Sequence, residues 1–215
     1  MIPAVGVLVV DLDGTLVRTN SFRRWTLWHF AGTAACARGP LVYAIRLAGF
    51  VGLYGLRAVR LISHRRLKSA FLRLWAVTGG TGQEASAFAE RLLRDYLDER
   101  VLQIVREAKQ NGLPRVLATA APELYAAHIA QQLEVDVIAT REARDGALCD
   151  ETVGDRKADR VREWLTRFGG PMQITVVTDH ADDIPLIMLA DRCVLVRADA
   201  RLRQLAGSRV VQVLQ

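Results

Sequence analysis

The sequence predicts an α/β fold, a doubly wound parallel sheet with a helical cap inserted after the first strand. Three observations predict it: a short apolar run ending in a carboxylate, a long helical stretch without strand signals, and then strands alternating with helices. The apolar run is Val5 to Val10, mostly β-branched and ending at Asp11, which suits a strand buried on both faces. From Ser21 to about Asp98 the pattern is helical, with Phe22, Trp25 and Trp28 near one face, a glycine-rich apolar stretch, and an amphipathic segment from Gln83 to Leu97. GGTG at Gly79 to Gly82 lacks the following Lys-Ser/Thr of a phosphate loop and reads as the end of a cap helix. After Gly112 come RVLAT, a helix over Pro122 to Leu133, VDVIAT, a helix over Lys157 to Phe168, ITVVT, a helix over Asp183 to Ala190, and CVLV. The expected division is a core of residues 1–17 and 108–215 and a cap of residues 18–107.

At 215 residues the chain has room for one sizeable core and a small second lobe. With 51% hydrophobic and 24% charged residues it can offset the entropy of folding, which excludes a disordered or collagen-like chain. Three scattered cysteines, Cys36, Cys149 and Cys193, exclude a CxxC zinc site and argue against a disulfide scaffold. Cys149 and Cys193 read as small apolar fillers. The N-terminus lacks a basic region before its apolar run, so a cytoplasmic protein is expected, peripheral at the inner face of the membrane if the cap meets lipid. Charge is segregated. Residues 14 to 83 carry eleven Arg and Lys and no Asp or Glu, whereas the rest has 18 basic and 23 acidic residues, a net of −5. Such a basic segment suits an anionic partner.

In a sheet of this class, ligands bind beyond the carboxyl ends of the strands. The residues expected there are Asp11 with Asp13, Thr119, and Asp179 with Asp183, and Lys157 opens a helix nearby. Phosphate monoester hydrolysis needs this kind of kit. A carboxylate must approach an anionic phosphoryl group, and a cation held by carboxylates, a lysine and hydroxyl or amide donors neutralise the repulsion. Asp11 and Asp13 are two apart on a chain leaving a strand, and Gly14 lets it turn, so one carboxylate can attack while the other moves protons.

DLDGTL at Asp11 to Leu16 resembles the first motif of the haloacid dehalogenase superfamily of aspartate-nucleophile phosphatases. LATAAPELY from Leu117 to Tyr125 resembles the second, Lys157 in GDRKADRV the third, and TDHADDIPLI, with Asp179 and Asp183, the fourth. The resemblance implies a Rossmann-like core in which Asp11 forms an aspartyl-phosphate and Asp13 protonates the leaving group and then activates water. It implies Mg²⁺ held by Asp11, the backbone carbonyl of Asp13 and Asp179, with Asp183 as a further ligand or as an anchor behind them. Thr119 and Lys157, with Leu12 and Ala120 beside them, would bind the phosphate. Arg18, Arg23, Arg24 and His180 are the expected substrate contacts. Thr178, where the family often has Gly or Ser, and the polar His180 and Asp182 depart from the fourth motif.

The branch resembles the phosphoserine phosphatases and, through SHRRLKSAFLRL and its following glycine turn, is weakly similar to bacterial phosphatidylglycerophosphatases. Phosphoserine is disfavoured because residues 14 to 83 offer no carboxylate for its ammonium. Leu41 to Ile62 is long enough to span a bilayer, but arginines and glycines interrupt it. On one continuous helix Arg46, Arg57 and His64 would fall within ~20° of one another, a basic ridge suited to lying among lipid headgroups. The expected function is therefore a Mg²⁺-dependent phosphatase acting on a lipid phosphate. Two alternatives stand beside it: a soluble-metabolite phosphatase, and a binding protein whose basic cap docks an anionic membrane or, less expected, nucleic acid.

Overall fold

The computed structural model describes residues 6–32, 36–143, 145–169 and 172–215. Val5, the expected start of the first strand, lies outside them. Seven strands form one sheet in the order β4-β3-β2-β1-β5-β6-β7. These are β1 Val7–Val10, β2 Arg115–Pro122, β3 Asp136–Glu142, β4 Leu148–Asp150, β5 Ile174–Thr178, β6 Arg192–Val196 and β7 Val210–Leu214. Every neighbouring pair is parallel except β3 and β4. The chain runs outward from β1 through β2 and β3, then returns to β5 on the other side. This reversal opens a crevice at the carboxyl ends of the central strands.

The four residues of β1 alternate strictly between two cores. Leu8 and Val10 face one cluster with Leu117, Tyr125, Phe88 and Trp25, while Val7 and Val9 face another with Val161, Trp164, Leu186 and Leu202. Helices α5 (Glu99–Gln110) and α6 (Glu123–Leu133) cover the first face, and α7 (Asp155–Leu165), α8 (Ile184–Ile187) and α9 (Ala200–Ala206) cover the second. The sequence reading ends at CVLV and does not anticipate β7, although VVQVL is apolar at four of five positions; β4 is only three residues long, and α9 is a short helix of mixed polarity. The helix expected over Asp183 to Ala190 is a 3₁₀ turn at Ala181–Asp183 followed by the single turn of α8. Helix α5 falls within the expected cap, yet its Val101, Ile104, Val105 and Ala108 join the first core, and it packs on β1 and β2. Cys193 is a buried filler, whereas Cys149 is exposed on the edge strand β4.

Between β1 and α5 lie α1 (Ser21–Thr26, continued by a wider turn to Ala31), α2 (Pro40–Ala58), α3 (His64–Val77) and α4 (Gly82–Tyr96). Asn20, Ser63 and Thr81 cap α1, α3 and α4 through side-chain oxygens that accept from the backbone amides of Arg23, Arg66 and Glu84. GGTG is the turn between α3 and α4, with Gly79 at φ 78°. The ends of the insertion are clasped together. Val17 bridges Leu97, Arg18 N–H donates to Tyr96 O at 2.8 Å, and Asp98 N–H donates to Leu16 O at 2.9 Å. Arg100 and Arg197 both bind the Asp98 carboxylate and hold its pKa far below the usual range.

The expected basic ridge does not form. Helix α2 stops at Ala58, Arg60 turns the chain at φ 61°, and His64 starts a different helix. Arg46 points inward and is fully buried. Its guanidinium donates to Thr78 Oγ1 at 2.9 Å and to the carbonyls of His29 and Thr78. On this inner face Phe50, Leu53 and Tyr54 join the core, Tyr54 and Thr26 share a hydroxyl hydrogen bond, and Gly49 admits Leu74, whose Cδ2 lies 2.2 Å from where a Cβ would stand. His29 is packed among Trp25, Trp28, Trp75 and Phe88, with neither ring nitrogen hydrogen-bonded. Burial, reinforced by Arg46, pushes its pKa down to about 3 from an ordinary 6.5. Because the unfolded chain binds this proton more readily than the folded one, stability is lost as pH falls from 6.5 towards 3. His29→Phe keeps the aromatic packing and removes the proton site, so urea titrations should show a smaller loss of stability over that pH range than in the parent protein.

Candidate active site

A cleft of about 690 Å³ opens at the carboxyl ends of β1, β2 and β5, beneath the start of α3. It brings together Asp11, Asp13, Thr119, Lys157, Asp179 and Asp183, which are up to 172 positions apart in the chain (183 − 11). Lys157, in the first turn of α7, is buried and donates to Asp11 Oδ1 at 2.7 Å and to both oxygens of Asp183 at 2.8 Å. Burial works against its charge, but the two carboxylates hold its pKa above the usual lysine value. Thr178 adds a hydrogen bond to Asp183 Oδ2 at 2.7 Å. The departure from the fourth motif thus fastens this carboxylate instead of loosening the loop. Asp183 precedes α8 without capping it and serves as the anchor of Lys157.

Asp13 is held from the insertion side. Its Oδ1 accepts the backbone N–H of Ser21 at 2.8 Å, and Ser21 Oγ shares a buried hydrogen bond with Tyr125 OH at 2.9 Å. Burial raises the pKa of Asp13 despite the Ser21 contacts, and raises Asp11 to about 8 despite Lys157. Asp179 is also raised by burial, against a hydrogen bond from Thr15 Oγ1 at 3.0 Å. Gly14, at φ 75°, presses against it: a Cβ there would stand 1.9 Å from Asp179 Oδ2. Asp11, Asp13, Asp179 and Asp183 thus share one cleft with two buried lysines, Lys157 and Lys68. Four carboxylates against two ammonium groups suit a hard divalent cation. No three His, Cys, Asp or Glu side chains gather closely enough to chelate a metal among the described residues. Asp183 gives both oxygens to Lys157, whereas Asp11 gives it only Oδ1, and the set that fits is Asp11 and Asp179 with the backbone carbonyl of Asp13.

Thr119 is buried at the cleft, where its Oγ1 accepts the N–H of Ala121 at 3.0 Å. Ala120 lines the same wall, whereas the Leu12 side chain lies in the core, so only its backbone can serve a ligand. His180 lines the rim, its Nδ1 accepting the N–H of Asp182 at 3.1 Å. Arg18, Arg23 and Arg24 do not line the cleft, contrary to expectation. Phe22 and Trp25 turn inward, which leaves Arg23 and Arg24 on the exposed side of α1, and Arg24 bonds Thr19 and stacks on Tyr96 at 4.5 Å.

The basic side chains that do reach the cleft come from the start of α3. His64 and Arg65 line it, and Lys68 is buried with its Nζ 3.0 Å from Ala120 O, which accepts its proton. Lys68 also lies 3.8 Å from Glu151, and Arg65 lies 3.9 Å from it. The sequence signal for Lys68 was its spacing: positions 68, 71, 72 and 75 form one helical face, and the other three are Phe, Leu and Trp. Glu151 overturns one premise of the sequence reading. A carboxylate does reach the cleft, supplied from outside residues 14 to 83.

A family model for haloacid dehalogenase-like hydrolases matches residues 8–188. The phosphoserine phosphatase SerB1 of Mycobacterium tuberculosis H37Rv is 29% identical over 220 residues, an alignment covering 93% of this chain and 67% of that protein. A protein of unknown function from Bordetella pertussis Tohama I has the same fold, with a TM-score of 0.75 at 24% identity over 97% of both chains. A phosphoserine phosphatase in its apo form superposes with a TM-score of 0.63 at 15% identity, covering 97% of this chain and 92% of the other.

Replacing Lys157 by Met would leave Asp11 and Asp183 buried without their common partner, a change that costs about 3 kcal/mol when one member of a buried ion pair is removed. Urea denaturation should show that loss, and Lys157→Met combined with Asp183→Asn should recover part of it.

Proposed function

The chain belongs to the haloacid dehalogenase-like hydrolase family, and on that premise we propose that it is a Mg²⁺-dependent phosphatase that hydrolyses a phosphate monoester through an aspartyl-phosphate. The observation that carries the reading is the pair of carboxylates at the end of β1: Asp11 against Lys157 at 2.7 Å, and Asp13 two residues on, turned to the Ser21 amide. Asp11 attacks phosphorus, and the bond from phosphorus to the leaving oxygen breaks. Asp13 gives its proton to that oxygen. Asp13 then takes a proton from water, which attacks the phosphorus of the aspartyl-phosphate and frees Asp11 and inorganic phosphate. Lys157 and Thr119 face the phosphoryl oxygens, and the Asp183 and Thr178 contacts keep Lys157 in place. Mg²⁺ held by Asp11, Asp179 and the Asp13 carbonyl would offset the charge of the phosphoryl group.

For the leaving group, the basic rim of His64, Arg65 and Lys68 favours a further anionic group, such as that of a lipid phosphate. Glu151 favours a second reading, a phosphorylated amino acid whose ammonium would contact that carboxylate, in keeping with the name of the mycobacterial relative.

Phosphate release should be measured with Mg²⁺ on lysophosphatidate, phosphatidylglycerophosphate, phosphoserine, sugar phosphates and nucleotides. The expected result is turnover on the lipid phosphates that Asp11→Asn abolishes. Turnover on phosphoserine alone would replace the lipid reading, and salt-dependent nucleic-acid binding without turnover on any compound would overturn the enzymatic one. Gly14→Ala should raise the Mg²⁺ concentration needed for half-maximal turnover, because the added methyl displaces Asp179.

A further inference from the structure

Helix α2 is built inside out. Its exposed positions from Leu41 to Leu56, namely Leu41, Ala44, Ile45, Ala48, Val51, Gly52, Gly55 and Leu56, recur at intervals of three and four and contain no polar side chain, which leaves Arg57 in the last turn as the exposed charge of the helix. Val59 and Leu61 continue the stripe past the end of the helix, exposed by 65% and 67%. Its one charged residue before the last turn, Arg46, is buried. The helix is long and apolar enough to cross a membrane, yet only 6% of its most apolar stretch is buried. Soluble surfaces rarely expose so continuous an apolar band, and one rimmed by charge marks an interaction site.

The rim identifies the partner. Arg57, Arg60 and Arg66 are exposed beside the far end of the stripe and form no ion pair among the described residues, and residues 14 to 83 hold no acidic residue to answer them. A second copy of the same face would bring apolar surface but no negative charge, whereas anionic headgroups over acyl chains supply both. We infer that the outward face of α2, with the turn to α3, docks on an anionic lipid bilayer. The helix lies along the surface and does not cross it, since its inner face is committed to Thr78, Leu74 and the core around Phe71. At 1.5 Å per residue its 19 residues lay down a band about 28 Å long. Ser63, His64 and Arg65, which begin two residues after the exposed Leu61, line the cleft, so docking sets its mouth at headgroup level. This surface stands apart from the proposed chemistry and needs no turnover to be tested.

The full chain should be sedimented with vesicles of phosphatidylcholine alone and with phosphatidylglycerol mixed in, alongside two variants: Ile45→Glu with Val51→Glu and Leu56→Glu, and Arg57→Glu with Arg60→Glu and Arg66→Glu. The parent protein should bind the phosphatidylglycerol vesicles, less at high salt. The arginine variant should bind about a hundredfold more weakly, and the apolar variant should lose binding. Hydrolysis of a soluble chromogenic phosphate should be the same in all three, which separates the docking surface from the activity. Absence of vesicle binding, or equal binding to both vesicle types, would overturn the inference. So would a dimer in sedimentation velocity that the apolar variant dissociates while vesicle binding is unchanged.

Discussion

One buried ammonium holds the catalytic end of the sheet together. Lys157 reaches from α7 to Asp11 on the chain leaving β1 and to Asp183 beyond β5, so a single charged group ties three separate chain segments at the crevice. Two carboxylates that would repel each other are held within reach of one cation, and Thr178 takes up a further lone pair on Asp183. Such an arrangement is poor as a source of stability, because desolvating the three charges costs about as much as their attraction returns. Its value is positional. It leaves Asp11 with a fixed direction and a free oxygen facing the cleft.

The insertion is joined to this centre by a second lysine that plays the opposite part. Lys68 leaves the apolar face of α3 to bond a backbone carbonyl at the end of β2, while its charge is shared with Glu151. The Ser21 amide makes the same connection to Asp13 from α1, and the Ser21 hydroxyl is held in turn by Tyr125 of α6. The group proposed to move protons is therefore placed by the insertion, and the group proposed to attack is placed by the sheet.

The residues gathered in the cleft were legible because Asp11 and Asp179 directly follow β-branched strands, Thr119 lies in the second half of β2 and Lys157 in the first turn of α7, and sheet topology brings those places together whatever their distance in the chain. Asp11, Thr119, Lys157 and Asp179 needed only that rule. Arg46 was illegible because angular position around a helix says which residues share a face, not which face is buried, and it lies about 20° around the helix from Arg57 while their exposures are opposite. Arg18, Arg23 and Arg24 are near Asp13 in the chain but outside the cleft, because the Asn20 cap starts a helix whose Phe22 and Trp25 claim the inner side. Glu151 follows the edge strand β4, whose three residues carry no periodic signal, and its arrival at the cleft depends on that strand's antiparallel turn.

The clasp at the base of the insertion bears on how such a chain can diverge. Residues 16 to 18 and 96 to 98 are hydrogen-bonded to each other, so the two ends of the intervening segment stay side by side. Loop closure is settled at that point, and lengthening or rebuilding what lies beyond it adds entropy cost only slowly. Over evolutionary time the helices between the two clasped ends can be exchanged, reversed in polarity or given an apolar outer stripe without moving β1, and the inheritance of the reaction becomes separable from the inheritance of the address at which it is carried out.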